Sequence, residues 1–111
     1  MDIKELDAYQ KETERTTGTS DVGARLASFG MGISGEAGEV TDYLKKVLFH
    51  GHELDIDKVK DELGDVLWYV STIASTCGVA LSDVASANIE KLKKRYPEGF
   101  DSDRSINREG W

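Results

Sequence analysis

Four carboxylates stand in two pairs of matching spacing, Glu36 and Glu39 in "GEAGEV" and Glu62 and Asp65 in "ELGDVLWY". Setting "EAGEVTDY" (36–43) above "ELGDVLWY" (62–69) brings glutamate, glycine, valine and tyrosine into register 26 residues apart, with Glu39 matched by Asp65. On a helix, an i, i+3 spacing puts both acids of a pair on one side. Taking Val40 and Val66 as references at about 100° per residue, Glu36 and Glu62 lie about 40° from them and Glu39 and Asp65 about 100°. Each helix therefore borders its apolar stripe with acids. Such pairs repel, and interior glycine costs about 1 kcal/mol against alanine, so the pattern needs something that repays it. Two such helices packed antiparallel bring four carboxylates to one partly dry cleft, which is unfavourable without a counter-charge. A hard divalent cation, Mg²⁺ or Mn²⁺, one or two per site, supplies that charge, because such ions take oxygen ligands. Glu36, Glu39, Glu62 and Asp65 are the expected ligands. A single E-x-x-E pair is more often a pair of solvated surface acids. The repeat, its shared register and the twin glycines Gly38 and Gly64, expected to let the two backbones approach closely, favour the metal.

The elements that must position these acids read as helices. Clean strand alternation and hairpin turns are missing from the sequence. The first helix spans about residues 3–15, with Ile3, Leu6 and Tyr9 or Gln10 facing inward. The second runs from about Val22 to Phe49, its glycines leaving the start open between Asp21 and Ser34 as N-cap, and stops at the glycine of "FHGHELD". Around Val40 its stripe holds Ile33, Ala37, Leu44 and Val47. The third begins after Asp55 and ends near Gly78; Val59, Leu63, Val70, Ile73 and Cys77 flank Val66. The fourth begins after Ser82 and ends at Tyr96, since Pro97 cannot continue it. Helices joined by short loops pack antiparallel, so an all-α, four-helix, bundle-like fold follows. It is expected to form a single domain over 1–111, with about 97–111 as an extension.

Composition narrows the function classes. The chain has 111 residues, 39% hydrophobic and 32% charged, with a net charge of −7. That charge argues against a general nucleic-acid binder, although a polyphosphate can bind an acidic protein through bridging cations. The single cysteine, Cys77, cannot form an internal disulfide, and the charged start "MDIKELDAYQ" lacks a signal-peptide core. A reducing, cytoplasmic setting is expected. The uncharged stretch between Asp65 and Asp83 contains serines, threonines and a glycine, so it reads as a buried helix and not as a membrane span.

Other side chains carry weaker signals. Tyr43 and Tyr69 sit at matching repeat positions beside the acids; core packing with a bonded hydroxyl is the commoner role, and holding a base is the functional one. Trp68 shares an outer face with Ser71, Thr72 and Ser75, which predicts a subunit interface. His50 and His52, without cysteine support, read as loop residues and not zinc ligands. Lys46 lies on the Glu39 side of its helix and is a phosphate candidate; Arg15, Arg104 and Arg108 are weaker ones. A ferritin-like di-iron site is disfavoured, because it wants Glu-x-x-His pairs and neither pair ends in histidine.

Together, "GEAGEV" (35–40), "ELGDVLWY" (62–69) and "NIEKLKKRYPEGF" (88–100) resemble the MazG-like all-α nucleoside triphosphate pyrophosphohydrolases. The resemblance runs from "YQKETERT" to "DRSINRE", and the family's E-x-x-E and E-x-x-D pairs are matched in full. It implies a Mg²⁺-requiring enzyme that cleaves a nucleoside triphosphate between its α and β phosphates, giving monophosphate and pyrophosphate. A house-cleaning role in nucleotide pools and a homodimer or homotetramer are implied as well. Lys91 and Arg95 match phosphate-contacting cations, and Asn88 an amide that reaches metal or substrate. The alternative for these cations is a basic helix end complementing the macrodipole, the role assigned to Lys94. The chemistry needs an activated water, charge neutralisation and a positioned triphosphate. Metal held by the four acids polarises phosphoryl oxygens and lowers the pKa of water, while Glu36 or Glu39 takes the proton. The rival reading is a non-catalytic helical oligomerisation or partner-binding module.

Overall fold

Two aspartates and two glycines mark where the long helices begin and end. The structure is a computed structural model that describes residues 4–107. It contains α1 (Lys4–Thr13), a 3-10 turn (Glu14–Thr16), α2 (Val22–Phe49), α3 (Ile56–Thr76), α4 (Leu81–Arg95) and α5 (Ser102–Ile106). The fold is all-α; an isolated bridge between Pro97 and Gly99 is the sole β pairing among the described residues. Asp21 starts α2 by accepting the Ala24 N–H at 2.8 Å, so Ser34 lies well inside a continuous helix. Asp55 starts α3 by accepting from Asp57 at 3.0 Å. Gly51 and Gly78, at φ of 75° and 72°, end α2 and α3 in a left-handed conformation that suits glycine. The tail, read as an extension without periodicity, contains the short α5, capped by Asp101.

The fourth helix corrects the sequence reading. It begins at Leu81, with Ala80 in the N-cap position, and Ser82 lies inside its first turn. Ala80 has no side chain to cap with, and α1 satisfies the exposed donors instead. Gln10 Oε1 accepts the Leu81 N–H at 2.7 Å, and Asp7 accepts from the Ser82 N–H and Oγ at 2.9 and 2.7 Å. Those bonds from Ser82 hold the Asp7 carboxyl below the ordinary aspartate value.

Helices α2 and α3 pack antiparallel, since contacts at rising positions on α2 meet falling positions on α3. Arg25 reaches the Thr72 carbonyl, Phe29 touches Trp68 and Tyr69, and Tyr43 faces Lys58. The buried Tyr43 hydroxyl fastens the connection, donating to the Glu53 carbonyl and accepting from the Asp55 N–H. Helix α1 and its 3-10 turn then seal one face of α3. Thr13 bonds buried Ser71 at 2.9 Å, Gln10 bonds Ser75 at 3.0 Å, and Trp68 Nε1 donates to Thr16 at 2.8 Å. Arg25 grips Glu14 through both guanidinium nitrogens at 3.0 and 2.6 Å, which pulls the Glu14 carboxyl below its ordinary value. The Trp68 face expected to meet another subunit is thus covered by the chain's own N-terminal segment. Small residues on α3 let α1 come close enough for side-chain hydrogen bonds.

The opposite side is open. Buried apolar residues among those described are Phe29, Tyr43, Ala74 and Leu81, while Leu44, Leu63, Leu67, Val84 and Leu92 stay exposed. The predicted stripes are therefore only partly covered; Ala37 and Cys77 are exposed as well. The cause is geometric. Helix α4 leaves α3 at 104° and cannot lie along it as a fourth bundle member. A radius of gyration of 16.8 Å, against about 13 Å for a close-packed domain of this length, reflects the same opening. No single helix among the described residues is long and apolar enough to cross a membrane; α3 and α4 pass that test only as the bent pair.

Candidate metal and nucleotide site

Glu36, on α2, and Glu62 and Asp65, on α3, come together where the two helices face each other. One carboxylate oxygen from each lies within 4.8 Å of the others. Glu62 is 9% exposed. An Oε2 atom of Glu36 and one of Glu62 are buried with no hydrogen-bond partner. An unpartnered buried carboxylate oxygen is costly and calls for a counter-charge. The Glu36 carboxyl is pushed above its ordinary value, first by burial and then by the charges of Glu39, Asp65, Glu62 and Asp61. Neighbouring groups supply little relief: Lys58 Nζ stands 3.5 Å from Glu62 Oε1 from a half-exposed position. Oxygen-only donors, crowded negative charge and unpartnered oxygens fit a hard divalent cation, with Glu36, Glu62 and Asp65 as its holders.

Two cavities open on either side of this cluster. One, about 320 Å³, is lined by Thr16, Glu36, Asp65, Trp68 and Tyr69. Trp68 and Tyr69 meet edge to face at 5.0 Å, and Phe29 packs on both. The other, about 360 Å³, is lined by Glu39, Asp42, Tyr43, Lys46, His52, Lys58 and Glu62. There Lys46 and Lys45 hold Asp42 at 3.0 and 3.3 Å and depress its carboxyl below the ordinary value. Glu39 is an exposed member of this second cavity and stands outside the three-oxygen cluster.

The expected twin glycines do not make the close helix contact. A Cβ built on Gly38 or Gly64 would meet nothing within 4 Å, because both point away from the facing helix. Gly32 makes it instead: a Cβ there would collide with the Tyr69 ring. The remaining cation candidates are dispersed. Asn88 and Lys91 line a third cavity, a largely apolar groove with Leu6, Leu67, Val70 and Val84. Leu67 stands about 140° around α3 from Glu62, so that groove and the acids occupy different sides. Arg95 sits at the last turn of α4, where Arg104 donates to the Arg95 and Lys94 carbonyls. Arg15 pairs with Glu12, and Arg108 lies outside the described residues. His50 closes α2, with its N–H bonded to the Lys46 carbonyl.

Three neighbours of the site escaped the sequence reading. Lys58 is one turn before Glu62, so the i, i+4 spacing was a usable signal. Thr16 arrives through the 3-10 turn, which carries no periodicity. Tyr9 on α1 approaches Asp65; burial first and that charge second raise its hydroxyl above the ordinary tyrosine value.

The profile of the MazG nucleotide pyrophosphohydrolase domain matches residues 26–100, a span that takes in both acid pairs. The chain belongs to the MazG family. A relative, the Gene 37 protein of Mycobacterium phage L5, is 33% identical over 112 residues, covering 97% of this chain and 98% of its own. No solved structure gives a significant match. Membership in the MazG family makes nucleotides the substrate class to consider for the acid cluster and the two cavities beside it.

Proposed function

We propose that this MazG protein hydrolyses (deoxy)nucleoside triphosphates between the α and β phosphates, releasing monophosphate and pyrophosphate, as a nucleotide-pool house-cleaning enzyme. The observation that carries the reading is the trio Glu36, Glu62 and Asp65 with two buried, unpartnered oxygens between the cavities. Mg²⁺, or Mn²⁺ in its place, would be held by these residues, with Glu39 reaching in from the cavity edge. When bound, it neutralises phosphate charge and makes water a better nucleophile. Glu36 and Glu39 stand on one side of α2, so whichever is less engaged accepts the proton from the attacking water. Tyr69, packed on Gly32 and flanked by Trp68, offers an aromatic edge to the nucleoside. Lys46 offers charge to the phosphates.

Asn88, Lys91 and Arg95 belong to this proposal through a second copy of the chain. The apolar groove that carries Asn88 and Lys91, about 590 Å³, is an exposed surface of the kind that marks an interface. A homodimer or homotetramer that covers it buries Leu67 and Val84 and brings the cations of α4 to a neighbour.

The test is a panel of ribo- and deoxyribonucleoside triphosphates with Mg²⁺, scoring monophosphate, pyrophosphate and orthophosphate separately. The expected result is metal-dependent pyrophosphate release that Glu39→Ala abolishes while its circular dichroism stays native. No release across the panel would favour a non-catalytic helical module.

A further inference from the structure

The cavities on either side of the acid cluster share carboxylates but differ in the rest of their lining, and the antiparallel seam fixes their order. Along α3, Tyr69, Asp65, Glu62 and Lys58 follow one another over about 16 Å. Along α2, Gly32, Glu36, Glu39 and Lys46 run alongside in the same sense. The cavity at the Tyr69 end has two aromatic rings, a threonine and two carboxylates, with no lysine, arginine or histidine in its lining. Outer phosphates find no side-chain cation there, whereas a flat base finds ring surface to pack against. The cavity at the Lys58 end contains two ammonium groups and an imidazole beside the carboxylates of Glu39, Asp42 and Glu62, so it is the one of the two that offers cations.

We infer that the nucleotide lies along the α2–α3 seam in one direction, its nucleoside against the Trp68–Tyr69 pair and its β and γ phosphates on Lys46, Lys58 and His52. This inference rests on the proposed hydrolysis and adds a phosphate subsite and a polarity to it. Both lysines are exchangeable partners. Lys58 reaches Glu62 at 3.5 Å and Lys46 reaches Asp42 at 3.0 Å, each from a side chain at least two-fifths exposed, so neither pair is strongly held. A cation on Glu62 would release Lys58 to turn to phosphate oxygens. Lys46 sits at the α2 end of the same basin. His52 is positioned by its own backbone N–H, which donates to the Lys46 carbonyl at 3.3 Å. The loop carrying His52 is fixed in turn by Tyr43, through its bonds to Glu53 and Asp55. Pyrophosphate left after cleavage therefore departs at the loop end, and the monophosphate at the aromatic end.

Binding of the two products, measured separately by calorimetry with Mg²⁺ present, tests the direction without relying on turnover. Lys58→Met and Lys46→Met are expected to weaken pyrophosphate binding at least about tenfold each and to leave nucleoside monophosphate binding within about twofold. Tyr69→Ala is expected to show the reverse pattern. His52→Ala is expected to weaken pyrophosphate binding less than either lysine variant. A reversed pattern, or lysine variants that weaken both products equally, overturns the orientation while leaving the hydrolysis reading intact. Wild-type protein that releases no pyrophosphate and binds neither product overturns both.

Discussion

The two sides of α3 are built in different ways. One is closed by α1: Ser71 and Thr72 have no exposed surface, and Thr13, Gln10, Thr16 and the Arg25–Glu14 pair tie the segments together with directed bonds. The other displays Leu63 and Leu67 beside an α4 that turns away at 104°. Polar bonds within the chain complete the first side, because hydrogen bonds specify one partner at one distance. Apolar surface is non-directional and can wait for a partner of matching shape. The acid cluster lies between these two regimes, with its aromatic cavity backed by the closed side.

The comparison breaks most visibly at the open face. If the proposed oligomer forms through this face, Leu67→Glu is expected to dissociate it altogether in sedimentation while the chain retains its helical spectrum. A variant that sediments like wild type would show that this face is not the contact. On the closed side, Arg25→Ala removes the bidentate grip on Glu14 and the cation packed over Phe29 at 5.5 Å. Urea unfolding should show a loss of about 2 kcal/mol, near the lower end for a charged hydrogen-bonded pair because Glu14 is partly exposed. Gly38→Ala is a smaller change of opposite sign. With open space around the new methyl, it should raise stability by about 1 kcal/mol, read in the same unfolding experiment.

A pH series gives the subtlest contrast. Glu36, with its pKa raised in the folded protein, contributes full stability below its unfolded value and loses that contribution as pH rises through the folded value. Asp7, Glu14 and Asp42, with depressed values, contribute above their unfolded values and lose it as pH falls through the folded ones. Thermal melting of the metal-free protein should therefore improve modestly as pH falls through the raised Glu36 value, then decline as the other three protonate. The extra stability conferred by Mg²⁺ should shrink over the first of these ranges, because protons compete for Glu36.

Much of this was legible in the residues. Asp55 and Gly78 announced the ends of α3 through local chemistry, Asp21 was one of two caps open to α2, and the 26-residue echo announced the acids. Failures came where distant partners decide. Leu81 starts α4 because Asp7 and Gln10 cap it from α1, which no local window contains. Trp68 and its small neighbours looked like an interface because sequence cannot say which helix takes the vacant face, and α1 took it. Gly38 shared the repeat with Gly64, yet Gly32 carries the close approach, since helix rotation and not motif membership sets which glycine meets Tyr69. Glu36, Glu62 and Asp65 converge while Glu39, expected with them, stays outside, and Asn88 and Lys91 stand in a separate apolar groove.

The central claim is that the acids between α2 and α3 are assembled around a divalent cation. Titration of the protein with Mn²⁺, followed by electron paramagnetic resonance, tests it directly. Wild type should remove one or two ions per chain from the free signal, and Glu36→Gln and Glu62→Gln should each lose binding while keeping native circular dichroism. Wild-type protein that leaves the free Mn²⁺ signal unchanged, or glutamine variants that bind as well as wild type, would contradict it.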